Sequence, residues 1–385
     1  MKVLYLVDVQ GQLGDAIRVS KMYKALKRAG ADVTVVNFKE THQPRWRLFT
    51  QPWVLARSCV HAVMNWQLSK LAMQAKLYAL VAEKKIRAVK PDLLWCETEL
   101  VGGVMAPLAQ RHAIPLVTDI HGLTTAEYAE NPFQKIVPAH LDYFRAIEQQ
   151  TVAGSQVLIT VSKPMSDYFV NQHGVNGERL VCIPNGSDPS PVQARFREPL
   201  KVIYGGALVF WEHVDAFLDT SKRATRHEFY LAGSGYLKDH LINRIETEQI
   251  RMIYLGSVPR NNIMNVFARM QVGMAPSTDG LTRRVACPIK VFDYLACGLP
   301  VITPQYGEWA DVVKQHRCGI VTERSDGEQF HQALEQLTDR PLWEEMSANG
   351  VHLIKTAWNW DRLTEPVAMI LKRFGALRVA RGAGS

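Results

Sequence analysis

The segment from Cys287 to Val301 carries the residues best suited to chemistry in this sequence. Pro288 suits the start of a helix and Gly298 suits its left-handed C-terminal cap, so the spacing predicts a loop, a short helix and a strand. A helix N-terminus offers unpaired N–H groups and a partial positive charge, and Lys290 in the first turn strengthens it as an anion site. Asp293, three residues on, shares a helix face with Lys290 and can reach a neighbouring hydroxyl pair. The alternative is a surface Lys–Asp pair on an ordinary crossover helix.

Two loops near the N-terminus are further candidates for ligand contact. Residues 10–15 form a turn between a predicted strand and a predicted helix, where Gly14 lets backbone approach a ligand. Asp119, His121 and Gly122 follow another predicted strand, and loops at the carboxyl ends of strands are where open α/β sheets bind ligands. The alternatives are a tight turn at Gly14 and a structural histidine bonded to Asp119.

Short apolar runs of β type alternate with helical segments along both halves of the chain, which predicts parallel sheets built from βαβ units. The predicted strands are residues 2–7, 32–37, 93–96, 116–118 and 157–161, then 201–204, 228–232, 252–255, 272–275, 300–303 and 319–321, with a first helix through 20–29. We therefore expect an α/β protein with two Rossmann-like domains, residues 1–185 and 201–357. Residues 186–200, with several turn-forming residues and prolines, are the expected linker, and hinge motion is expected there. A last helix, about 358–374, is expected to pack back on the first domain.

Composition places the chain among ordinary globular proteins. Its 385 residues are 47% hydrophobic and 21% charged, which excludes long disorder and a disulfide scaffold. The six cysteines are scattered without zinc spacing, so a reduced, cytoplasmic location is expected. The N-terminus reads as a strand and not as a signal peptide, and no uncharged apolar stretch approaches the length of a membrane span. The net charge of +8 favours an anionic partner.

A basic, aromatic stretch lies in residues 39–90, which hold ten Lys or Arg and two Glu together with Trp46, Phe49, Trp53 and Trp66. This composition is typical of an interfacial segment near anionic lipid. A solvated helical face with aromatic side chains in the core is an equally good interpretation. Docking of this segment on the inner face of a membrane is therefore one of two interpretations that the composition allows.

Several motifs together resemble the retaining, family-4-type glycosyltransferases, which have the GT-B fold. The run P-x-K-x-x-D-Y-L-A-x-G-x-P-V from Pro288 looks like their donor-binding signature. Further motifs agree in order and spacing across nearly the whole chain: Ile183–Asp188, Gly205-Gly206, Leu231–Gly235, Leu255–Pro259 and Trp358–Asp361. The resemblance implies two Rossmann-like domains facing each other across a cleft, and transfer of a sugar from a nucleotide-diphosphate donor to an acceptor hydroxyl with retention.

The resemblance also implies roles for individual residues of the second domain. Asp293 stands where the family places an acidic residue that binds the ribose hydroxyls. As the basic residues nearest in sequence, Lys290 and the guanidinium of Arg283 or Arg284 are expected to stabilise the leaving diphosphate, with a basic surface loop as the alternative for the two arginines. The other expected donor contacts are Gly205, Gly206, Pro288 and Val258. No metal is expected, because the sequence lacks an Asp-x-Asp motif.

The first domain should supply the acceptor side. His121 stands where the family places a histidine that faces the transferred sugar, so it is a candidate catalytic residue together with Lys290 and Arg283. Gly14, Asp119, Gly122 and Glu127 are the expected acceptor contacts. The expected partners are a nucleotide-sugar donor, with UDP or GDP as the nucleotide, and a saccharide or lipid-linked acceptor used in cell-surface polysaccharide or glycolipid assembly. No other cofactor and no nucleic acid are expected.

Three positions depart from the family pattern. A second acidic residue is expected eight positions before Asp293, where this chain has Val285; an Arg and a Lys are common where it has Ala207 and Glu212. These departures keep a catalytically inactive nucleotide-sugar-binding subunit open as an alternative. A non-hydrolysing sugar-nucleotide 2-epimerase, which shares the two-domain architecture, is the other.

Overall fold

A computed structural model describes residues 1–9, 14–41 and 66–382. These residues form two six-stranded sheets in which every strand pairing is parallel. The two Rossmann-like domains expected from the sequence are therefore confirmed.

The N-terminal sheet has the strand order β2-β1-β3-β4-β5-β6. Its elements, in chain order, are β1 (Lys2–Val7), α1 (Gly14–Arg28), β2 (Asp32–Asn37), α2 (Phe38–Thr41), α3 (Trp66–Val89), β3 (Leu93–Glu97), α4 (Thr98–Arg111), β4 (Leu116–Asp119), α5 (Thr124–Ala129), α6 (Pro138–Gly154), β5 (Val157–Thr160), α7 (Lys163–His173) and β6 (Leu180–Cys182).

The C-terminal sheet has the order β12-β11-β10-β7-β8-β9. Its elements are β7 (Lys201–Gly205), α8 (Val214–Arg223), β8 (Glu228–Ala232), α9 (Lys238–Thr247), β9 (Met252–Gly256), α10 (Arg260–Phe267), β10 (Val272–Met274), α11 (Leu281–Arg284), α12 (Ile289–Ala296), β11 (Val301–Pro304), α13 (Glu308–Gln315), β12 (Gly319–Thr322), α14 (Gly327–Gln336) and α15 (Arg340–Thr356). Two last helices follow, α16 (Trp360–Leu363) and α17 (Pro366–Gly382).

The central strands are buried along their whole length because helices cover both faces of each sheet, and they are apolar except at their carboxyl ends. Every residue of β3, β4 and β5 is buried. Continuous apolar runs of this kind are typical of parallel sheets, in contrast to the alternating pattern of a half-exposed sheet.

Helix ends carry the residues that cap them. At the start of α7 the Ser162 hydroxyl accepts the Met165 N–H at 3.1 Å, and the helix is followed by Gly174 with φ of 62°.

The chain crosses back to the first domain after the second sheet is complete. On α17, Val367, Ile370, Leu371 and Phe374 are buried in the same core cluster as Val3 and other residues of the N-terminal sheet. The segment from Gly186 to Leu200 contains neither a helix nor a strand. In the part of the chain that the structure describes, no helix combines the length and apolarity that crossing a membrane requires.

Candidate functional site

The predicted site residues gather where the strand order of each sheet reverses. In the N-terminal sheet the reversal lies between β1 and β3, and in the C-terminal sheet it lies between β7 and β10. Loops diverge at such a point, so it leaves a crevice at the carboxyl ends of the strands. The two crevices face each other: a β-carbon added at Gly14, which opens α1, would lie 3.8 Å from the Ile289 side chain at the start of α12.

Lys290 lies in the first turn of α12 and is held by two groups of the C-terminal domain. Its ammonium donates to the Tyr204 hydroxyl at 3.0 Å and to the Glu212 carboxylate, and it lies 4.4 Å from the centroid of the Tyr204 ring. The side chain is 11% exposed. Burial lowers the pKa of Lys290 to about 8, an effect that Glu212 opposes and Arg283 reinforces.

Arg283 approaches the same carboxylate from α11. Its Nη1 lies 3.6 Å from Glu212 Oε1, its Nε donates to Ser277 Oγ at 3.1 Å, and its guanidinium lies 5.0 Å from the centroid of the Trp309 ring. Burial raises the pKa of Glu212, but Lys290 and Arg283 outweigh burial and lower it overall. Two cations therefore share one carboxylate, which leaves one positive charge in excess. Such a cluster is suited to hold an anionic group.

Glycines bring backbone close to this cluster. A β-carbon at Gly206, directly after β7, would lie 2.5 Å from Lys290 Nζ, and one at Gly205 would lie 2.8 Å from the Phe267 ring. No side chain fits at either position without displacing these groups. The Ala207 carbonyl accepts the Tyr204 hydroxyl at 2.5 Å. The two glycines therefore make room for Lys290 and for the Phe267 ring, and their donor contact stays a prediction.

Asp293 has different partners from those expected of it. Its carboxylate accepts the Ser187 hydroxyl at 2.6 Å and both ends of the Arg260 guanidinium, one of them at 2.8 Å, and it is buried. Asp293 and Lys290 lie three residues apart on α12 as expected, but their partners differ, since Lys290 is held by Glu212 and Tyr204. The ribose contact of Asp293 stays a prediction.

The remaining donor candidates divide between the interior and the surface. Pro288 precedes α12 and is buried, and Val258 packs against the core cluster that contains Val291 and Phe292 of this helix. Arg284, by contrast, is exposed and pairs with Asp279 at 2.8 Å. The structure thus brings Arg283, and not Arg284, to Lys290.

His121 stands between two carboxylates of the N-terminal domain. Its Nδ1 lies 3.5 Å from Asp15 Oδ1 and its Nε2 lies 3.4 Å from Glu97 Oε2, while Tyr5 donates its hydroxyl to the other oxygen of Glu97. Burial disfavours the charged ring, but Glu97 and Asp15 outweigh burial and raise the pKa of His121 to about 9. The two carboxylates therefore favour the charged form of the ring.

Asp119 differs from its predicted role as an acceptor contact. It is 0% exposed, and its carboxylate accepts hydrogen bonds from Arg18 Nε, at 2.9 Å and 3.1 Å, and from Arg18 Nη2, at 2.6 Å. Arg18 donates further to the Ile183 carbonyl at 3.0 Å and to Asn185 Oδ1 at 2.9 Å. The Asp119 carboxylate is thus the counter-ion of a buried arginine and has no surface to offer an acceptor. The alternative of a histidine bonded to Asp119 is not seen either, because His121 faces Asp15 and Glu97.

Glu127 lies on α5, beside the loop that carries His121. A β-carbon at Gly122 would lie 2.6 Å from Glu127 Oε1, so the glycine makes room for this carboxylate. Burial and the charge of Asp15 raise the pKa of Glu127 to about 7, against the influence of His121 and Arg283. A carboxyl group with such a pKa exchanges its proton readily near neutral pH. Glu127, His121 and Arg283 therefore act on one another electrostatically although they belong to different domains.

Glu130 joins the two domains directly. Its carboxylate accepts the backbone N–H of Leu281 at 2.6 Å and that of Thr282 at 3.2 Å, at the start of α11. This contact caps the short helix that carries Arg283 with a side chain from the opposite wall. A carboxylate at this end of a helix also meets the partial positive charge of its N–H groups.

Sequence reasoning missed several residues of this arrangement, among them Tyr5, Glu97, Glu130 and Arg260. One signal was available for Glu97, because it ends β3 at the carboxyl edge of the sheet, where ligand-binding side chains gather. The other three act through partners distant in sequence, which local spacing does not indicate.

Part of the basic, aromatic stretch lies outside the described residues, including Trp46, Phe49 and Trp53. Among the residues that are described, helix α3 exposes Met73 and Leu80. No cluster of three or more His, Cys, Asp or Glu able to hold a metal ion occurs in residues 1–9, 14–41 and 66–382.

Comparisons with known proteins cover both domains. Residues 14–186 match the family model described as Glycosyl transferase 4-like domain, and residues 199–340 match that of Glycosyl transferases group 1. Glycogen synthase of Mycobacterium tuberculosis is 22% identical over 295 residues, which are 74% of this chain and 69% of the relative.

Solved structures resemble the chain over nearly its whole length. Sucrose-phosphate synthase from Thermosynechococcus elongatus has a TM-score of 0.78 at 14% identity, covering 98% of this chain and 100% of that one. HepE of Anabaena in complex with UDP-glucose has a TM-score of 0.71 at 15% identity, covering 97% and 100%. The chain shares the fold of these proteins.

Proposed function

Because the chain belongs to the group 1 glycosyltransferases with a 4-like N-terminal domain, we propose that it transfers a sugar from a nucleotide-diphosphate donor to an acceptor hydroxyl with retention of the anomeric configuration. The acceptor we propose is a saccharide or lipid-linked saccharide of cell-surface polysaccharide or glycolipid assembly. Donor and acceptor would meet in the cleft between Gly14 and the start of α12.

One observation carries the proposal: Lys290 and Arg283 are both buried against a shared carboxylate, with a positive charge in excess. In the proposed reaction the bond between the anomeric carbon and the diphosphate oxygen breaks, and the acceptor oxygen bonds to that carbon on the same face. The acceptor proton passes to the departing diphosphate. Negative charge develops on that diphosphate, so preorganised cations beside it stabilise the transition state more than the ground state.

The opposite wall of the cleft would hold the sugar and the acceptor. His121, which lies between Glu97 and Asp15, would face the transferred sugar. Glu127, on α5 beside the loop that carries His121, would contact the acceptor. Closing the two walls on each other excludes water, which limits wasteful hydrolysis of the donor; Glu130 supplies a contact for the closed arrangement.

A lipid-linked acceptor is supported by the excess of ten Lys or Arg over two Glu in residues 39–90 and by the exposed apolar side chains of α3. Such a segment would bring the cleft to an anionic membrane surface. Flotation with anionic vesicles at low salt tests this part of the proposal, and protein that stays unbound there would contradict it.

Nucleotide binding tests the donor site. Thermal unfolding of the full chain is measured with UDP, GDP, ADP and CMP, and the cognate nucleotide at about 100 times its Kd should add roughly 2.7 kcal/mol of stability. Lys290→Met should abolish the shift. Lys163→Met is the matched control, because Lys163 is exposed and pairs with Asp167 on the surface of α7.

Turnover separates the alternatives. With the nucleotide known, NMR follows the sugar donor alone and with candidate saccharide acceptors. Retained anomeric configuration in the product supports the proposal, and an inverted product contradicts it. Binding with neither hydrolysis nor transfer would identify an inactive binding subunit, whereas epimerised donor without acceptor would identify a 2-epimerase. If no nucleotide stabilises the protein, the donor site is refuted.

A further inference from the structure

Glu212 occupies a place where an acidic residue is unexpected. The family commonly has a lysine there, and a carboxylate close to a diphosphate repels it, yet this carboxylate is buried and turned toward the two proposed diphosphate-binding cations. A short 3₁₀ turn, Phe210–Glu212, places it there, in the loop between β7 and α8.

We propose that Glu212 is a positioning residue of the donor site, which fixes Lys290 beside Arg283 and keeps it protonated before a nucleoside diphosphate arrives. This inference rests on the proposed function, because it assigns Glu212 a role at the same site.

The contacts fix the geometry of the two cations. Lys290 is confined by the Gly206 backbone and the Tyr204 hydroxyl, so its ammonium has one carboxylate to meet. Arg283 is anchored separately by Ser277 and by the Trp309 ring. Glu212 lies between them, and the side chains of all three are 7–11% exposed. Removing Glu212 would thus leave two like charges next to each other with little water to screen them.

The charges around Lys290 decide its protonation. Glu212 faces it from the turn after β7, Arg283 from α11 and Tyr204 from β7. Of these three groups, Glu212 alone is negative at neutral pH. Burial and Arg283 both favour the neutral amine, and Glu212 opposes them. Without this carboxylate the Lys290 amine would lose its proton at a lower pH. Binding of a diphosphate would then be accompanied by uptake of a proton from solution.

Proton uptake on binding therefore measures the role of Glu212. Calorimetry with UDP and with GDP as probes, at pH 7.0 in two buffers of different ionisation enthalpy, gives the number of protons taken up. In the wild type Lys290 is already charged, so its own uptake should be about 0.1 proton. Glu212→Gln should take up more protons than the wild type, because the neutral amide no longer favours the charged ammonium of Lys290. The proton released by the nucleotide itself cancels in this difference.

Further variants assign the extra proton to Lys290. Adding Lys290→Met to Glu212→Gln should remove the extra uptake, and Glu212→Asp, which keeps a carboxylate, should restore most of the wild-type value. Glu344→Gln is the matched control, since Glu344 is exposed and pairs with Arg340 within α15. If Glu212→Gln does not fold, Glu212→Asp still tests the inference, because its shorter side chain leaves the carboxylate farther from Lys290 and should raise the proton uptake somewhat above the wild-type value.

Each outcome separates the inference from the proposed function. UDP or GDP binding with equal proton uptake in wild type and Glu212→Gln would overturn the role of Glu212 and leave the donor site standing. Absence of binding to the wild type would overturn both. Extra uptake that persists without Lys290 would also overturn the inference, because another group would then be the one that titrates.

Discussion

Replacing Asp119 with asparagine should destabilise the N-terminal domain by about 3 kcal/mol, because it leaves the Arg18 guanidinium buried without a counter-ion. Arg18 and Asp119 are 1% and 0% exposed. Removing one partner of such a pair typically costs about 3–5 kcal/mol. The lower end applies here, since the Ile183 carbonyl and Asn185 Oδ1 still accept from Arg18 and asparagine keeps one acceptor oxygen.

The assay is thermal unfolding of the full chain, followed by near-UV circular dichroism. For a domain of this size, about 2–4 °C are lost per kcal/mol, so the first transition should fall by about 6–12 °C. Asp188→Asn is the matched control: Asp188 pairs with Lys21 but is 62% exposed, so it should cost less than about 1 kcal/mol. Equal shifts for the two variants would refute the reasoning from burial.

Two further predictions concern the cleft. Glu130→Ala removes the carboxylate that caps α11 from the opposite domain, which should lower the free energy of unfolding by about 1 kcal/mol. Small-angle scattering should then show a larger radius of gyration. An unchanged radius would mean that this contact does not hold the cleft closed. The pKa of His121 is raised to about 9 from about 6.5 in the unfolded chain, so its stabilising contribution is full below about pH 6.5 and is lost as the pH rises through 9. The unfolding temperature should fall more in the wild type than in His121→Gln between pH 6.5 and 9.5, and parallel curves would show that this ring is neutral in the folded protein.

The sequence predicted the strands of both sheets well, because buried parallel strands are continuous apolar runs. The predicted bounds agree with β1, β2 and β8 at both ends, and the other predicted strands differ by one residue at one or both ends. The missed strand, β6 (Leu180–Cys182), is three residues long and half-exposed at the edge of its sheet, so it carries no such run. Helix α1 begins six residues earlier than expected, since Arg18 is a charged residue on its buried side and breaks the apolar period.

The motifs also identified the family, and both family matches confirm it. The sequence by itself placed Lys290 and Arg283 near the start of a short helix, because glycine and proline punctuate the chain and helix ends follow from such local signals. It therefore determined which elements form and which end of a sheet presents the candidate residues.

Only the tertiary structure decided which charges meet. Lys290 pairs with Glu212, 78 positions earlier, Asp293 pairs with Arg260, and Glu130 reaches the start of α11 across 151 positions. A residue's spacing along one helix fixes the face it occupies, but its partner is set by whichever element packs opposite. That packing also decided that Asp119 is the counter-ion of Arg18. It likewise made Glu212, at a position where the family commonly has a lysine, the counter-ion of Lys290 and Arg283. A buried charge destabilises the fold unless an opposite charge lies beside it, and here the fold supplies that partner from a distant part of the chain.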